Sequence, residues 1–345
     1  MKQIRLSIIG FGVVGQGLAE LLYTKRLLLM QHYGVHVTLV SVANARHGFI
    51  YREDGLDIPM LLDLAASRRS LTEHPGVKHW ENALTGLWAT GGDVLAEATG
   101  TNLRNAEPGM SHIRTALSQG MHVITANKGP GALAAKDLFS LAQEHSVQLR
   151  MESSVMAGTP VISTIREGMA GAEITAIRGI LNGTTNYILT AMAAGREYAE
   201  VLAEAEAQGY VEADPTADVE SYDALAKTLI LSALVFGRSL KPDQVIRRGI
   251  TAITKEQMQK ASEQGKRIKL VASLRLQSKN GPLEARVEPM ELPLSDPLAH
   301  VDGVMNAIAV QSDTLPEVTI IGPGAGRIQT GQGLLADLIA IAKAK

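Results

Sequence analysis

The first 42 residues combine an apolar run, a glycine-rich turn and a helical repeat in an order that few folds accommodate. Ile4 to Ile9 has the length of a strand, and Gly10-Phe11-Gly12-Val13-Val14-Gly15 follows it directly. Apolar residues then recur at helical spacing from Gln16 to Met30, and Val35 to Val42 is rich in β-branched residues. Strand, glycine turn, helix and strand predict a βαβ unit.

The alternation of strands and helices continues to about residue 150. Strand-like runs occupy 94–98, 122–125 and 147–151, and helical patterns occupy 113–119 and 131–144. Buried strands that alternate with helices indicate a parallel α/β sheet with helices on both faces. The N-terminal part is therefore predicted to be a Rossmann-type, doubly wound parallel sheet.

The pattern changes after about residue 150. Longer helices are predicted over 198–208, 222–236 and 255–265, with strands over 174–181, 268–276, 283–289 and 307–310. A glycine-rich segment, 322–326, opens a last helix over 330–343. Because single cores stop growing near about 250–300 residues, the 345 residues predict two domains, the second of the α+β class.

Composition excludes several classes of function. The 33 basic and 35 acidic side chains give a net charge of −2, which argues against a nucleic-acid partner. The chain has no cysteine, so thiolate nucleophiles, thiolate zinc sites and disulfides are excluded. No run reaches the ~18 apolar residues of a membrane helix, and no signal peptide is apparent. We expect a cytoplasmic protein without a membrane partner.

The glycine turn predicts a dinucleotide site. Between a strand and a helix, its six residues let a pyrophosphate approach the helix N-terminus, where backbone N–H groups point at it. The alternative is a glycine turn without a ligand. NAD sites place an acid after the second strand, but no Asp or Glu occurs between Leu21 and Arg52. Asn44 and Arg46 end that strand instead, and Arg46 could hold a 2′-phosphate. NADP is therefore favoured over NAD, unless Arg46 is a solvated loop residue.

A buried helix with two charges predicts a catalytic site. The helix over 222–236 is apolar on nearly all sides, and its only charges, Asp223 and Lys227, lie four residues apart on one face. Glu212, Asp214 and Asp218 precede it. Buried charges are costly unless they are paired. Carboxylates suit a substrate ammonium group and a buried lysine suits proton transfer, whereas the alternative is a structural salt-bridge cluster.

Several motifs together resemble the homoserine dehydrogenase family. The first is Gly209-Tyr210-Val211-Glu212-Ala213-Asp214-Pro215, followed by Asp218, Asp223 and Lys227. The others are Thr125-Ala126-Asn127-Lys128, Leu181-Asn182-Gly183-Thr184-Thr185-Asn186-Tyr187-Ile188 and the terminal Gly322-Pro323-Gly324-Ala325-Gly326. They occur in the family's order over most of the chain. The resemblance implies reversible, NAD(P)-dependent interconversion of L-homoserine and L-aspartate 4-semialdehyde, in threonine, methionine and isoleucine biosynthesis.

The resemblance also implies residue roles. Lys227 matches the proton-donor lysine, and Lys128 matches a second lysine near the substrate and the nicotinamide. Glu212 and Asp223 match the acids that hold the substrate amino group and the catalytic lysine. Substrate contacts are further implied for Asp218 and the backbone of Gly183, and cofactor contacts for Thr99 and Gly326.

Domain boundaries, assembly and a cation site are also expected from the resemblance. Residues 1–137 and about 305–345 would form the dinucleotide-binding domain, and about 138–304 the catalytic and dimerisation domain of a homodimer or larger homo-oligomer. No C-terminal regulatory domain is expected. A monovalent cation such as sodium would lie at Glu152, Val155, Ala157 and Thr159, where Met156 replaces a glycine common in the family.

Two alternatives to this activity stay open. One is a related NADP-dependent reductase of another amino-acid aldehyde or oxo acid. The other is a catalytically silent NADP-binding regulator, against which the combination of Lys128, Glu212, Asp223 and Lys227 argues.

Overall fold

The computed structural model describes residues 1–207, 214–279 and 281–344. The chain divides into two compact units. The first comprises Met1–Gly158 and Ala325–Lys345, and the second comprises Thr159–Gly324. Within the described ranges, none of the helices is both long and apolar enough to cross a membrane.

The first unit alternates strands with helices. Its elements up to the second unit are β1 (Lys2–Ile9), α1 (Val13–Thr24), α2 (Arg26–Tyr33), β2 (Val35–Asn44), β3 (Gly48–Tyr51), α3 (Ile58–Ala66), β4 (Lys78–Trp80), α4 (Ala83–Thr90), β5 (Val94–Glu97), α5 (Gly109–Ser118), β6 (His122–Thr125), α6 (Lys128–Glu144), β7 (Leu149–Arg150) and α7 (Ser153–Met156).

The second unit is mainly antiparallel. It contains β8 (Ile174–Ile180), α8 (Gly183–Ala193), α9 (Tyr198–Ala207), α10 (Thr216–Val219), α11 (Tyr222–Phe236), β9 (Ile246–Arg247), α12 (Lys255–Glu263), β10 (Lys266–Leu276), β11 (Leu283–Pro293), β12 (Met305–Ser312) and β13 (Val318–Pro323). The chain then returns to the first unit as α13 (Arg327–Lys343).

The first unit is built on a seven-stranded sheet of order β4-β3-β2-β1-β5-β6-β7. The strands from β2 to β7 in this order pair in parallel, and β3 and β4 add an antiparallel edge. Leu6, Ile8 and Ile9 of β1 are all buried, as expected of a central strand that is covered on both faces. The Rossmann-type parallel sheet is confirmed. Its order reverses at β1, between β2 and β5, where ligands bind in such sheets.

Both ends of the chain build the core of the first unit. Helix α13 packs against α1, and Leu334, Leu335 and Leu338 join the cluster that contains Leu6 and Ile8 of β1. The two helices approach closely where a Cβ on Gly17 would lie 2.2 Å from the carbonyl oxygen of Arg327. Only glycine fits there.

The second unit is built on a six-stranded sheet of order β13-β12-β8-β10-β11-β9. Its strands pair antiparallel except β9 with β11, and α8, α11 and α12 pack against it. The predicted α+β class of this part is confirmed.

One buried lysine fastens α8 to this sheet. Lys269 of β10 is 1% exposed, and its Nζ donates to the carbonyl of Val301 at 2.6 Å and to Oδ1 of Asn186 at 3.1 Å. It also pairs with Asp302 at 3.0 Å. Burial lowers the pKa of Lys269, against the opposing effect of Asp302. These contacts fix α8, whose N-terminus carries the candidate site.

The structure differs from the sequence prediction in several elements. The helix predicted from Gln16 to Met30 is two helices, which meet at Lys25. Strands β3, β4, β9 and β13, which lie at or next to the edges of the two sheets, were not predicted.

The division into units also differs from the predicted domain boundaries at 137/138 and about 304/305. The first unit extends to Gly158, because α6 runs to Glu144 and β7 pairs with β6. The return begins at Ala325 rather than near 305, because β12 and β13 belong to the second sheet.

Candidate active site

Asn182 is the centre of a polar network at the start of α8. Its Oδ1 accepts from the backbone N–H of Thr185 at 2.8 Å and so caps the helix. Its Nδ2 donates to Oδ1 of Asp218 at 2.6 Å and to Oδ2 of Asp223 at 3.0 Å. One buried amide therefore holds the helix end and both carboxylates.

A strained turn brings the two aspartates to this amide. Ser221, between α10 and α11, is fully buried and has a φ of +66°. Its N–H donates to the carbonyl of Asp218 at 2.8 Å, and its Oγ donates to the carbonyl of Arg248 at 3.1 Å. A non-glycine residue at positive φ is uncommon, and such residues cluster at functional sites. Here the turn lets α11 begin beside Asp218.

Lys227 completes the network from α11. Its Nζ pairs with Oδ2 of Asp223 at 2.8 Å and donates to the carbonyl of Leu181 at 2.5 Å. The lysine side chain is 7% exposed and that of Asp223 17%. The prediction that Asp223 and Lys227 share one face of a buried helix is thus matched by direct contact, and the carbonyl just before α8 joins them.

Burial dominates the electrostatics of Asp218. It raises the pKa of this carboxyl, and the nearby Asp223 carboxylate acts in the same direction. Hydrogen bonds from Asn182 and Thr184 and the charge of Lys227 oppose the increase. Two carboxylates beside one ammonium group leave an excess of negative charge, which suits a cationic substrate group.

The other predicted substrate residues are only partly covered by the structure. Gly183 begins α8, and a Cβ there would lie 2.7 Å from the carbonyl oxygen of Val304. Glu212 lies outside the described residues, so its predicted role stays a prediction.

The first unit contains a cavity of about 600 Å³ at the reversal of its strand order. Gly10, Phe11, Gly12, Asn44, Arg46 and Thr99 line it. Gly10 has a φ of +98°, and a Cβ there would lie 2.3 Å from the carbonyl carbon of Ala98. By contrast, a Cβ on Gly12, the residue before α1, would meet no atom within 4 Å. The turn is therefore tight at Gly10 and open at Gly12, as a pyrophosphate at a helix N-terminus requires.

The loop after β2 presents an arginine but no acid to this cavity. Oδ1 of Asn44 accepts from the backbone N–H groups of Arg46 at 3.0 Å and His47 at 2.7 Å. The Asn44 acceptor is thus engaged in shaping the loop. Arg46 is exposed and lines the cavity, where its guanidinium could bind a phosphate.

The carboxyl ends of β5 and β6 carry a second network. Glu97, fully buried, accepts from the N–H of Thr99 at 3.2 Å and from its hydroxyl. Asn127 donates to Oγ1 of Thr99 at 3.1 Å and caps α6 through Gly129. Lys128 is the first residue of that helix. These contacts fix Thr99 at the rim of the cavity.

The remaining predicted cofactor residues do not line the cavity within the described part of the chain. Val13 is 67% exposed as the first residue of α1, and Val14 packs against the core. Gly15 is buried against the backbone of Gly10. Gly326 precedes α13 with a φ of +131°. The cofactor roles of these residues and Lys128 stay predictions.

The residues predicted to hold a cation fall in two units. Glu152 and Val155 are buried in the first unit, and Thr159 begins the second. Met156 lies in α7 with helical geometry, so its side chain imposes no backbone strain, whereas the positive φ of +51° falls on Ala157. The cation site itself stays a prediction.

Asn182 was not predicted from the sequence as a site residue. An asparagine directly before a helix signals an N-cap, and that signal locates Asn182. It does not reveal that the remaining amide hydrogens reach carboxylates more than 30 residues away.

Comparisons with known proteins agree with this geometry. A homoserine dehydrogenase family profile matches residues 160–339, and the profile of the family's NAD-binding domain matches residues 10–152. An NAD(+)-dependent homoserine dehydrogenase of Pseudomonas canavaninivorans is 39% identical over 343 residues, covering 99% of this chain and 97% of that protein. A homoserine dehydrogenase of Methanocaldococcus jannaschii is 38% identical, covering 97% of this chain and 98% of that protein.

Solved structures give the same assignment. A homoserine dehydrogenase from Thiobacillus denitrificans has a TM-score of 0.85 at 32% identity, covering 99% of this chain and 74% of that one. A hyperthermophilic archaeal homoserine dehydrogenase mutant in complex with NADPH has a TM-score of 0.85 at 29% identity, covering 99% of this chain and 98% of that one. The resemblance noted in the sequence is confirmed: this chain belongs to the homoserine dehydrogenase family.

Proposed function

We propose that this chain catalyses the reversible reduction of L-aspartate 4-semialdehyde to L-homoserine with a nicotinamide cofactor. The observation that carries the proposal is the buried Lys227, held by Asp223 and the Leu181 carbonyl beside the amide of Asn182. Two charges buried in contact are costly to the fold, and a role in proton transfer accounts for that cost.

In the proposed mechanism, Lys227 donates a proton to the oxygen that becomes negative during reduction. Asp223 balances the lysine charge and orients its Nζ through their 2.8 Å contact. Asp218 and Asp223, with Glu212, attract the substrate ammonium group. The cofactor, when bound, supplies or accepts the hydride. Lys128 is assigned to the nicotinamide end of the cofactor site, to stabilise negative charge on the substrate oxygen.

We propose NADP as the preferred cofactor. Support comes from Arg46 on the cavity and from the asparagine, rather than an acid, that ends β2. The relatives point both ways, since one is named NAD(+)-dependent and one structure is an NADPH complex. The ratio of activities with NADPH and NADH decides the preference.

Three further features are proposed from the family resemblance. They are a homodimer or larger homo-oligomer, a cytoplasmic location and a monovalent cation at residues 152–159. Light scattering coupled to size-exclusion chromatography tests the first, cell fractionation the second, and activity in sodium-free buffer with sodium added back the third.

The decisive experiment follows NADPH absorbance at 340 nm with purified protein and L-aspartate 4-semialdehyde. Lys227→Met should abolish oxidation of NADPH while leaving NADPH fluorescence titrations unchanged. Lys260→Met, on the exposed face of α12, is the matched control and should retain full activity. Turnover in Lys227→Met near that of the parent protein would refute the assigned role. Activity on another amino-acid aldehyde alone would redirect the proposal to a related reductase, and NADPH binding without any turnover would favour a regulator.

A further inference from the structure

Helix α3 ends in an arrangement that normally requires glycine. The N–H of Arg69 donates to the carbonyl of Leu64 at 2.9 Å, and the N–H of Arg68 donates to that of Ala65 at 3.2 Å. This pair of bonds defines a Schellman motif, whose left-handed residue is usually glycine because a Cβ there is strained. The residue in this position is Arg68, with a φ of +55°.

The neighbouring segment gives Arg68 no partner that would explain the strain. Arg69 is engaged by Glu73, with Nε donating at 3.0 Å. Ser70 and Glu73 form a capping box on the next turn. Arg68 is exposed and, across residues 1–207, 214–279 and 281–344, its side chain has neither an ion pair nor a hydrogen bond. Replacing Arg68 by glycine would therefore break none of these hydrogen bonds or ion pairs.

The cavity of the first unit offers a reason for an arginine at this position. Arg68 lines the cavity together with Arg46, although α3 and the loop after β2 are separate in sequence. Glu81 is the only acidic residue among the described lining residues, and it is exposed just after β4. Because Arg69 is paired with Glu73, Arg46 and Arg68 are the two arginines among the described lining residues that are left for a ligand.

We propose that Arg68 is a second specificity-determining residue for the cofactor and binds the 2′-phosphate of NADP opposite Arg46. A phosphate monoester carries a charge of about −1.5 to −2 at neutral pH, so two guanidinium groups balance it where one does not. Guanidinium groups also bind phosphate oxygens in pairs of hydrogen bonds. The inference deepens the proposed function and rests on its preference for NADP.

The test compares NADPH and NADH affinity in the full-length protein by cofactor fluorescence. Arg68→Gly should weaken NADPH binding about tenfold or more, the loss expected for hydrogen bonds to a charged group, and change NADH binding less than twofold. Its melting temperature should rise by about 2 °C, because the left-handed strain is relieved.

Ser146→Gly is the matched control. Ser146 lies just after the end of α6, with a φ of +55° in the same type of motif, and it is outside the cavity lining. It should raise the melting temperature similarly and leave both affinities unchanged. A Ser146→Gly variant that also loses NADPH affinity would overturn the interpretation, because the loss would then follow the backbone change.

Failure of this inference is distinguishable from failure of the proposed preference. If Arg46→Ala weakens NADPH binding and Arg68→Gly does not, Arg68 has no part in recognition and the NADP preference stands. If the parent protein binds NADH more tightly and Arg68→Gly changes neither affinity, both proposals fail. Equal losses for the two cofactors in Arg68→Gly would also overturn the assignment, since the 2′-phosphate is their only difference.

Discussion

Replacing Asn182 by alanine removes side-chain hydrogen bonds that serve two purposes: those accepted from the N–H and the hydroxyl of Thr185 hold the start of α8, and two others are donated to carboxylates. The cap of α8 is worth about 1 kcal/mol. The two donated bonds reach the carboxylates of Asp218 and Asp223 at 2.6 and 3.0 Å. Hydrogen bonds to charged groups contribute about 1.5–3 kcal/mol each.

The partial exposure of Asp223, 17% of its side chain, places the expected loss toward the lower end of this range. In the variant, water can replace part of the hydrogen bonding that the Asn182 amide supplied to the Asp223 carboxylate. We therefore expect Asn182→Ala to lower the free energy of unfolding by about 4 kcal/mol, of which about 3 kcal/mol comes from the two carboxylate bonds.

Asn82→Ala provides the matched control. Asn82 caps α4 by accepting from the N–H of Leu84 at 2.8 Å, is exposed, and among the residues that the structure describes makes no hydrogen bond to a carboxylate. Its replacement should cost about 1 kcal/mol. Urea unfolding followed by circular dichroism measures both variants at pH 7. Equal losses for Asn182→Ala and Asn82→Ala would refute the reasoning, because the bonds to Asp218 and Asp223 would then contribute nothing.

Two further outcomes follow from the geometry of the sites. Burial raises the pKa of Asp218, so ionisation of this carboxyl opposes folding. Asp218→Asn should therefore raise the free energy of unfolding at pH 7–8 and leave it nearly unchanged around pH 4, close to the carboxyl pKa of the unfolded chain. Urea titrations across this pH range measure the effect. A benefit that is independent of pH would contradict this. Gly12→Ala should weaken NADPH binding but change the melting temperature by no more than about 2 °C, because its Cβ points into open space. Gly10→Ala should destabilise the first unit by about 3 kcal/mol or more, because of backbone strain and contact with Ala98. Equal melting temperatures for the two variants would argue against a turn that is tight at Gly10 and open at Gly12.

Much of the fold could be predicted because apolar runs mark the central strands and the buried helices. Helix α11 is the clearest example, since its bounds, 222 and 236, coincide with the prediction. An all-round apolar helix with two charges allows little choice of boundary. The break between α1 and α2 at Lys25 was missed because apolar residues continue across it. Periodicity records the composition of a helix face and is insensitive to a local change in backbone direction.

The residue types of the candidate site could be predicted, but most of the hydrogen bonds between them could not. The contact between Asp223 and Lys227 follows from helical spacing. The convergence of Asp218 and Asp223 on Asn182 depends on the left-handed backbone conformation of Ser221. A serine in the sequence does not predict that conformation. Arg68 is a similar case, because only the hydrogen bonds that end α3 show that it occupies a glycine position.

The shared core of β1 and α13 has a consequence for biosynthesis. During translation, the turn at Gly10 emerges before the second unit, whereas Leu334, Leu335 and Leu338 leave the ribosome after it. The first unit therefore cannot complete its core until the inserted second unit has been synthesised. Until then β1 lacks the part of its apolar cover that α13 supplies, and the nascent N-terminal part exposes that surface. An alteration of α13 would thus act on cofactor binding through the order of folding, far from the cavity itself.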